Sequence, residues 1–190
     1  FRRVLFRSAL KDGGFTATEM KSSFNATELK EALFNATQLK EASFNATELK
    51  DVGFTATEMK SSFNATELKT GGYDATQLID GGFLLTELKT AAFTAKNLKD
   101  ANVLLADLIN IDYNATELNE ADFTATELKD SGEFTINDLK DGGYTATEMK
   151  TAQYDATQLK TVGYSATQMK DAAFTATELY SVGYTSTQLV

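Results

Sequence analysis

The chain has 190 residues with no His, Cys, Trp or Pro, and 27 acidic side chains against 18 basic ones, a formal net charge of −9. That balance argues against nucleic acid as a partner, because phosphate contacts need clustered Lys and Arg, and the missing Cys removes disulfides and thiolate metal sites. No apolar run approaches the ~20 residues that span a bilayer.

Residues 1–8, FRRVLFRS, stand apart from the rest of the chain. They hold Arg2, Arg3 and Arg7, the only arginines in the sequence, and resemble the translation of a sequencing-library adapter. We set them aside from fold prediction as a non-native segment. What remains carries 15 lysines against 27 acidic residues, a formal net charge of −12.

From residue 9 to 190 the chain repeats a decamer, best seen as FTATELKDSG at Phe123–Gly132. Aromatic anchors recur at Phe15, Phe24, Phe34, Phe44, Phe54, Phe63, Tyr73, Phe83 and Phe93. After Val103 they resume at Tyr113, Phe123, Phe134, Tyr144, Tyr154, Tyr164, Phe174 and Tyr184. Two repeats, FTATEMKSS at Phe15 and Phe54, are nine residues long, and the one from Phe123 is eleven because Glu133 is inserted. One-residue changes of this kind are expected in turns.

Each decamer predicts one short helix. Thr124 is the N-cap, Glu127 stands at the third helical position to complete a capping box, and Phe123 precedes the cap to staple onto Leu128. Lys129 lies near the negative end, and a small residue or Gly stops the helix. Variation supports this, since the cap position carries Thr16, Asn25, Asp74 or Ser165 and their equivalents, straying only to Leu84 and Leu104. The fourth helical position is always Leu or Met. A strand would place the aromatic and the Leu, five apart, on opposite faces.

A helix of six or seven residues falls far below the ~12–15 needed for marginal stability alone. The repeats must therefore stack, giving an all-α solenoid of about eighteen very short helices in one domain, with two to four repeats per superhelical turn. Ala125, Leu128 and the following small residue are expected inside, with Glu127, Lys129 and Asp130 in solvent. The array is expected to be part of a longer one, with open ends that favour end-to-end self-association.

Residues 9–190 resemble tandem decapeptide proteins of the GFTATELKDAG type from environmental sequences. The resemblance implies the repeat architecture and carries no substrate or site with it.

Between Ile79 and Ile111 the pattern breaks. Leu84, Leu85, Leu104, Leu105 and Ile109 form either a locally thicker core or degenerate repeat, or a contact surface for a protein partner. The Thr column, with Thr18, Thr27, Thr37, Thr47 and Thr57, either bonds nearby backbone or a neighbouring coil while its methyls pack, or presents a hydroxyl lattice to ice or another ordered surface. It resembles the threonine arrays of ice-binding solenoids in residue type. Asn-Ala-Thr at Asn25, Asn35, Asn45, Asn64 and Asn114 fits the glycosylation sequon, but N-capping accounts for it. The Asp-Gly-Gly triplets at Asp12, Asp80 and Asp141 lack the alternating ligands of a calcium loop and read as helix stops. No catalytic residue, cofactor or metal site is expected. A non-catalytic scaffold binding an extended partner is favoured over the ordered-surface alternative, and an enzyme comes third.

Overall fold

The computed structural model describes residues 2–188; Phe1, Leu189 and Val190, and with them the end of the last repeat, lie outside the described residues. The described chain is helical throughout, with no strand, and forms two compact units that divide between Phe93 and Thr94. The first unit holds α1 (Arg2–Asp12), α2 (Ala17–Met20), α3 (Ala26–Glu31), α4 (Ala36–Glu41), α5 (Ala46–Asp51), α6 (Ala56–Met59), α7 (Ala65–Thr70), α8 (Ala75–Asp80) and α9 (Leu85–Thr90). The second holds α10 (Ala95–Asp100), α11 (Leu105–Asn110), α12 (Ala115–Glu120), α13 (Ala125–Ser131), α14 (Ile136–Asp141), α15 (Ala146–Thr151), α16 (Ala156–Thr161), α17 (Ala166–Asp171) and α18 (Ala176–Ser181), followed by a 3₁₀ turn at Ser186–Gln188. Residues 2–8, set apart by sequence, lie in the first two turns of α1, where Arg7 is buried and pairs with Glu28 at 3.0 Å and Glu31 at 2.5 Å.

The capping box forms as the sequence predicts. At α13 the Glu127 N–H donates to Thr124 Oγ1 at 3.2 Å and the Thr124 N–H donates to Glu127 Oε2 at 2.7 Å. Asn97 and Asp138, exceptions to the Glu/Gln rule, still return a bond to the caps Thr94 and Thr135 at 3.0 and 2.7 Å. At Leu84 only the return half survives, its N–H donating to Glu87 Oε2 at 2.7 Å, and at Leu104 no side-chain cap forms. The backbone bond from the cap, before any other cause, holds the carboxyls of Glu58 and Glu127 below their ordinary range. A lowered folded-state value means that this contribution is present above the unfolded carboxyl range and is lost as pH falls through the lowered one.

Each ten-residue repeat then ends in a Schellman turn. After α3, Leu33 N–H donates to Lys30 O at 2.8 Å and Phe34 N–H to Leu29 O at 3.1 Å, closing the two bonds of that motif. The residue before the aromatic is left-handed. It is Gly in Gly72 (φ 87°) and Gly82 (φ 82°), yet Leu33 (φ 66°) and Gln153 (φ 60°) also adopt it, at a cost of about 1–2 kcal/mol each for a side chain with Cβ. In the Asp80-Gly81-Gly82 triplet the first glycine answers a different need, since a Cβ on Gly81 would stand 2.7 Å from the Ala56 methyl.

The structure corrects the expectation that length changes fall in turns alone. In the nine-residue repeats, α2 and α6 shrink to four residues, and Phe24 and Phe63 bond one residue closer, to Met20 O and Met59 O at 3.0 and 2.9 Å. In the eleven-residue repeat α13 grows to seven residues before Gly132 turns left-handed. What stays constant is the spacing from cap to Leu or Met, because that spacing sets the buried face.

Within each unit the closest packing recurs between helices two apart: α1 on α3, α2 on α4, α5 on α7 and α6 on α8, then α10 on α12, α12 on α14, α13 on α15 and α15 on α17. Two repeats therefore complete one turn of the coil, the low end of the predicted range, and successive helices alternate between two sides. Leu29, Leu39, Leu49 and their equivalents are fully buried, with the first helical Ala and most aromatic anchors around them. Tyrosine anchors add a bond across one full turn: Tyr73 donates to Phe54 O at 2.5 Å and Tyr144 to Phe123 O at 2.6 Å. Tyr164 and Tyr184 do the same to Tyr144 O and Tyr164 O. Burial first, then nearby Glu58 for Tyr73 and Glu148 for Tyr164, pushes these two phenols up to about 12.

Phe54 sits in this spine, buried and under the ammonium of Lys30. Phe54→Ala should destabilise by about 3–5 kcal/mol, measured by denaturant unfolding; a loss under about half a kcal/mol would contradict a shared aromatic core.

Candidate partner-binding site

Lys at the seventh position of the repeat does not project into solvent, as the sequence suggested for Lys129. At most repeats it is half-buried, Lys60 and Lys170 being exposed, and it reaches forward by one full turn. Lys99 Nζ lies 4.0 Å from the centroid of the Phe123 ring and donates to Ala121 O and Asp122 O at 3.0 and 2.9 Å. Lys129 does the same to Tyr154, Ala152 O and Gln153 O, and Lys30 to Phe54 and Val52 O. Ring separations run out to 5.6 Å at Lys140 over Tyr164. Each ammonium thus neutralises the negative end of the helix one turn on and sits on the face of its aromatic. The signal was present in the sequence as a near-invariant Lys, but its partners lie 22 to 25 residues away and no local rule connects them.

Asn119 substitutes in part, its amide donating to Gly142 O at 2.9 Å. Ile79 and Ile109 hold the Lys position with side chains that have no donor.

Two hollows repeat the same construction and contain a ladder lysine. One of about 630 Å³ has Lys40 beside Phe63, where Lys40 also pairs with Glu67 at 2.7 Å; the other, about 400 Å³, has Lys140 beside Tyr164. A third hollow of about 770 Å³ is different. It lies between α11 and α13, floored by Leu105 and Ile109 and rimmed by Asp112, Glu127, Asp130 and Glu133.

The structure thus brings two of the sequence-predicted contact residues, Leu105 and Ile109, into one groove. Leu104, the failed N-cap of α11, is 69% exposed. Leu84 and Leu85 belong to the first unit, where Leu84 is 64% exposed and Leu85 half-buried. The thicker-core alternative does not hold for Leu84 or Leu104. The acidic rim was not foreseen, because Glu127 and Asp130 look like any other repeat positions until Ile109 replaces the lysine.

The Thr column is exposed at Thr18, Thr27, Thr37, Thr47 and Thr57. Thr37 Oγ1 meets Ser62 Oγ one turn on. That contact fits the expected bond to a neighbouring coil; among the described residues the other four hydroxyls make no bond within the chain, so the expected tie to nearby backbone does not form at these five positions. Because helices alternate sides, neighbouring repeats contribute to separate Thr rows. The sequon asparagines serve as caps, Asn25 Oδ1 accepting from Glu28 N–H at 3.0 Å. No helix among the described residues is long and apolar enough to cross a membrane.

A family model described as decapeptide repeat region matches residues 7–70, 62–133 and 122–190. No curated protein and no solved structure matches the chain.

Lys99→Met keeps the apolar stem and removes the ammonium. It should cost about 1–2 kcal/mol, and a double-mutant cycle with Phe123→Leu should return a coupling of about 0.5–1 kcal/mol. Additive losses would show that the ladder is a bystander.

Proposed function

Because the chain belongs to the decapeptide repeat family, whose model covers nearly its whole length, we propose that it is a non-catalytic scaffold that binds a protein partner. The observation that carries this is the groove between α11 and α13, the hollow in which half-buried Leu105 and Ile109 lie beside Asp112, Asp130 and Glu133, which form no ion pair among the described residues. At most other repeats the apolar interior is covered and the lysine is spent on the chain's own helix ends. A scaffold needs such a departure from regularity to fix where along the array a partner docks.

Selection from a displayed library of random twelve-residue peptides tests this. The expected result is enrichment of peptides that bind the intact chain and lose binding to the Leu105→Glu, Ile109→Glu double variant, with helicity unchanged by circular dichroism. Peptides that bind both chains alike, or no enrichment, would remove the groove as a docking site.

The second use, contact of the Thr rows with an ordered surface, has their exposure and unengaged hydroxyls in its favour. Ice recrystallisation inhibition that disappears in a Thr37, Thr47, Thr57→Val variant while the fold persists would support it. Absence of inhibition by the wild type would end it.

A further inference from the structure

We infer that the groove between α11 and α13 accepts a lysine side chain from the partner polypeptide, which fills the rung that this chain leaves empty at Ile109. The inference rests on the docking site proposed above and specifies its occupant.

Two observations concern the empty rung and two the hollow beside it, which shares Ile109 and Glu133 with the rung. First, the lysine ladder sets the expected position of the cation. A lysine one turn back donates to the two carbonyls ahead of an aromatic: Ala121 and Asp122 before Phe123, Ala152 and Gln153 before Tyr154. The corresponding carbonyls before Phe134 belong to Gly132 and Glu133, and the residue one turn back is Ile109. Among the described residues no lysine reaches either carbonyl.

Second, Phe134 is half-exposed, whereas Phe123 and Tyr144 on either side of it are buried. Among the described residues no ammonium covers its ring as Lys99 and Lys129 cover Phe123 and Tyr154. Third, the space is open, about 770 Å³, with Leu105 and Ile109 as an apolar floor. The aliphatic stem of a lysine needs such a floor, and an ammonium alone does not. Fourth, the rim is acidic. Asp112, Asp130 and Glu133 form no ion pair among the described residues, in contrast to Glu67, which Lys40 pairs in the hollow of the first unit.

The helix end and the ring are what a ladder lysine meets elsewhere in the chain, and Lys40 adds a carboxylate, Glu67. An acidic peptide would meet the rim with like charge. A purely apolar one would cover Leu105 and Ile109 while burying the carboxylates without a partner, which is costly. Among the described residues no three acidic groups converge as a metal site, so the charge complement is an organic cation on a chain.

The probe is an eight-residue peptide of Ser, Ala and Leu with one central Lys, compared with the same peptide carrying norleucine there. The two differ only in the ammonium. Backbone amide shifts of the ¹⁵N-labelled full chain are followed during titration. Saturable shifts centred on Ile109, Gly132, Glu133 and Phe134 are expected, with at least tenfold weaker binding of the norleucine peptide. A second variant works in the opposite sense: Ile109→Lys supplies the ammonium in cis, so it should raise the melting temperature by a few degrees and abolish the peptide-induced shifts.

Equal binding of the two peptides in the groove would overturn the cation while leaving the docking site intact. Shifts spread over the acidic surface of both units would overturn it as well, as nonspecific charge attraction. So would an Ile109→Lys chain that is folded, no more stable, and still binds. Groove-dependent peptides selected from the library without any basic residue would again defeat the cation alone, whereas a library with no groove-dependent binders defeats the docking site itself.

Discussion

Among the described residues most aromatic anchors belong to two helices at once. Phe34 closes the Schellman turn of α3 through its N–H to Leu29 O, and it is also the residue ahead of the Asn35 cap that opens α4. Because one side chain terminates one coil and staples the next, there is no linker to loosen, and a six-residue helix is held at both ends by its neighbours. Tertiary contact replaces the length that an isolated helix would need. The interior is built in the same step, since the residue that closes the turn is the one that buries its ring.

The lysine ladder adds the third dimension. Caps and Schellman turns act within ten residues, whereas Lys99 on Phe123 and the carbonyls before it acts over a full turn. It ties each coil to the next on the same side, as do the tyrosine hydroxyls from Tyr144 through Tyr184. Individual rungs are worth little, roughly 1 kcal/mol, but the array repeats them along both units. An interruption therefore matters less for stability than for what it leaves accessible.

The fold was legible because its rules are local. The cap, the box partner three residues on and the Leu after it are adjacent in sequence, so Thr124, Glu127 and Leu128 declared themselves without any structure. The ladder was illegible for the opposite reason. A lysine near a helix end satisfies a local rule about the helix dipole and gives no sign that it serves another helix 22 residues ahead. Half of the candidate site shared that fate: Leu105 and Ile109 were visible as broken pattern, while Glu127 and Asp130 became part of a site only once the turn of the coil placed them opposite Ile109. The Thr hydroxyls misled for a similar cause, since an N-terminal position in a short helix is predicted to bond locally and instead faces water.

The variable ends of the helices have a consequence for how such a chain can change. A residue lost at Phe15 or Phe54, or gained at Glu133, alters only how far the helix runs before it turns. The coil behaves like a ratchet that tolerates uneven teeth, so slippage during copying that adds or drops a residue past the buried Leu need not be purged. Gain or loss of a single repeat is another matter. Within a unit it moves every later helix to the other side of the coil and gives the lysines that span the change different rings, so lineages of this protein should differ in length by pairs of decamers more readily than by one.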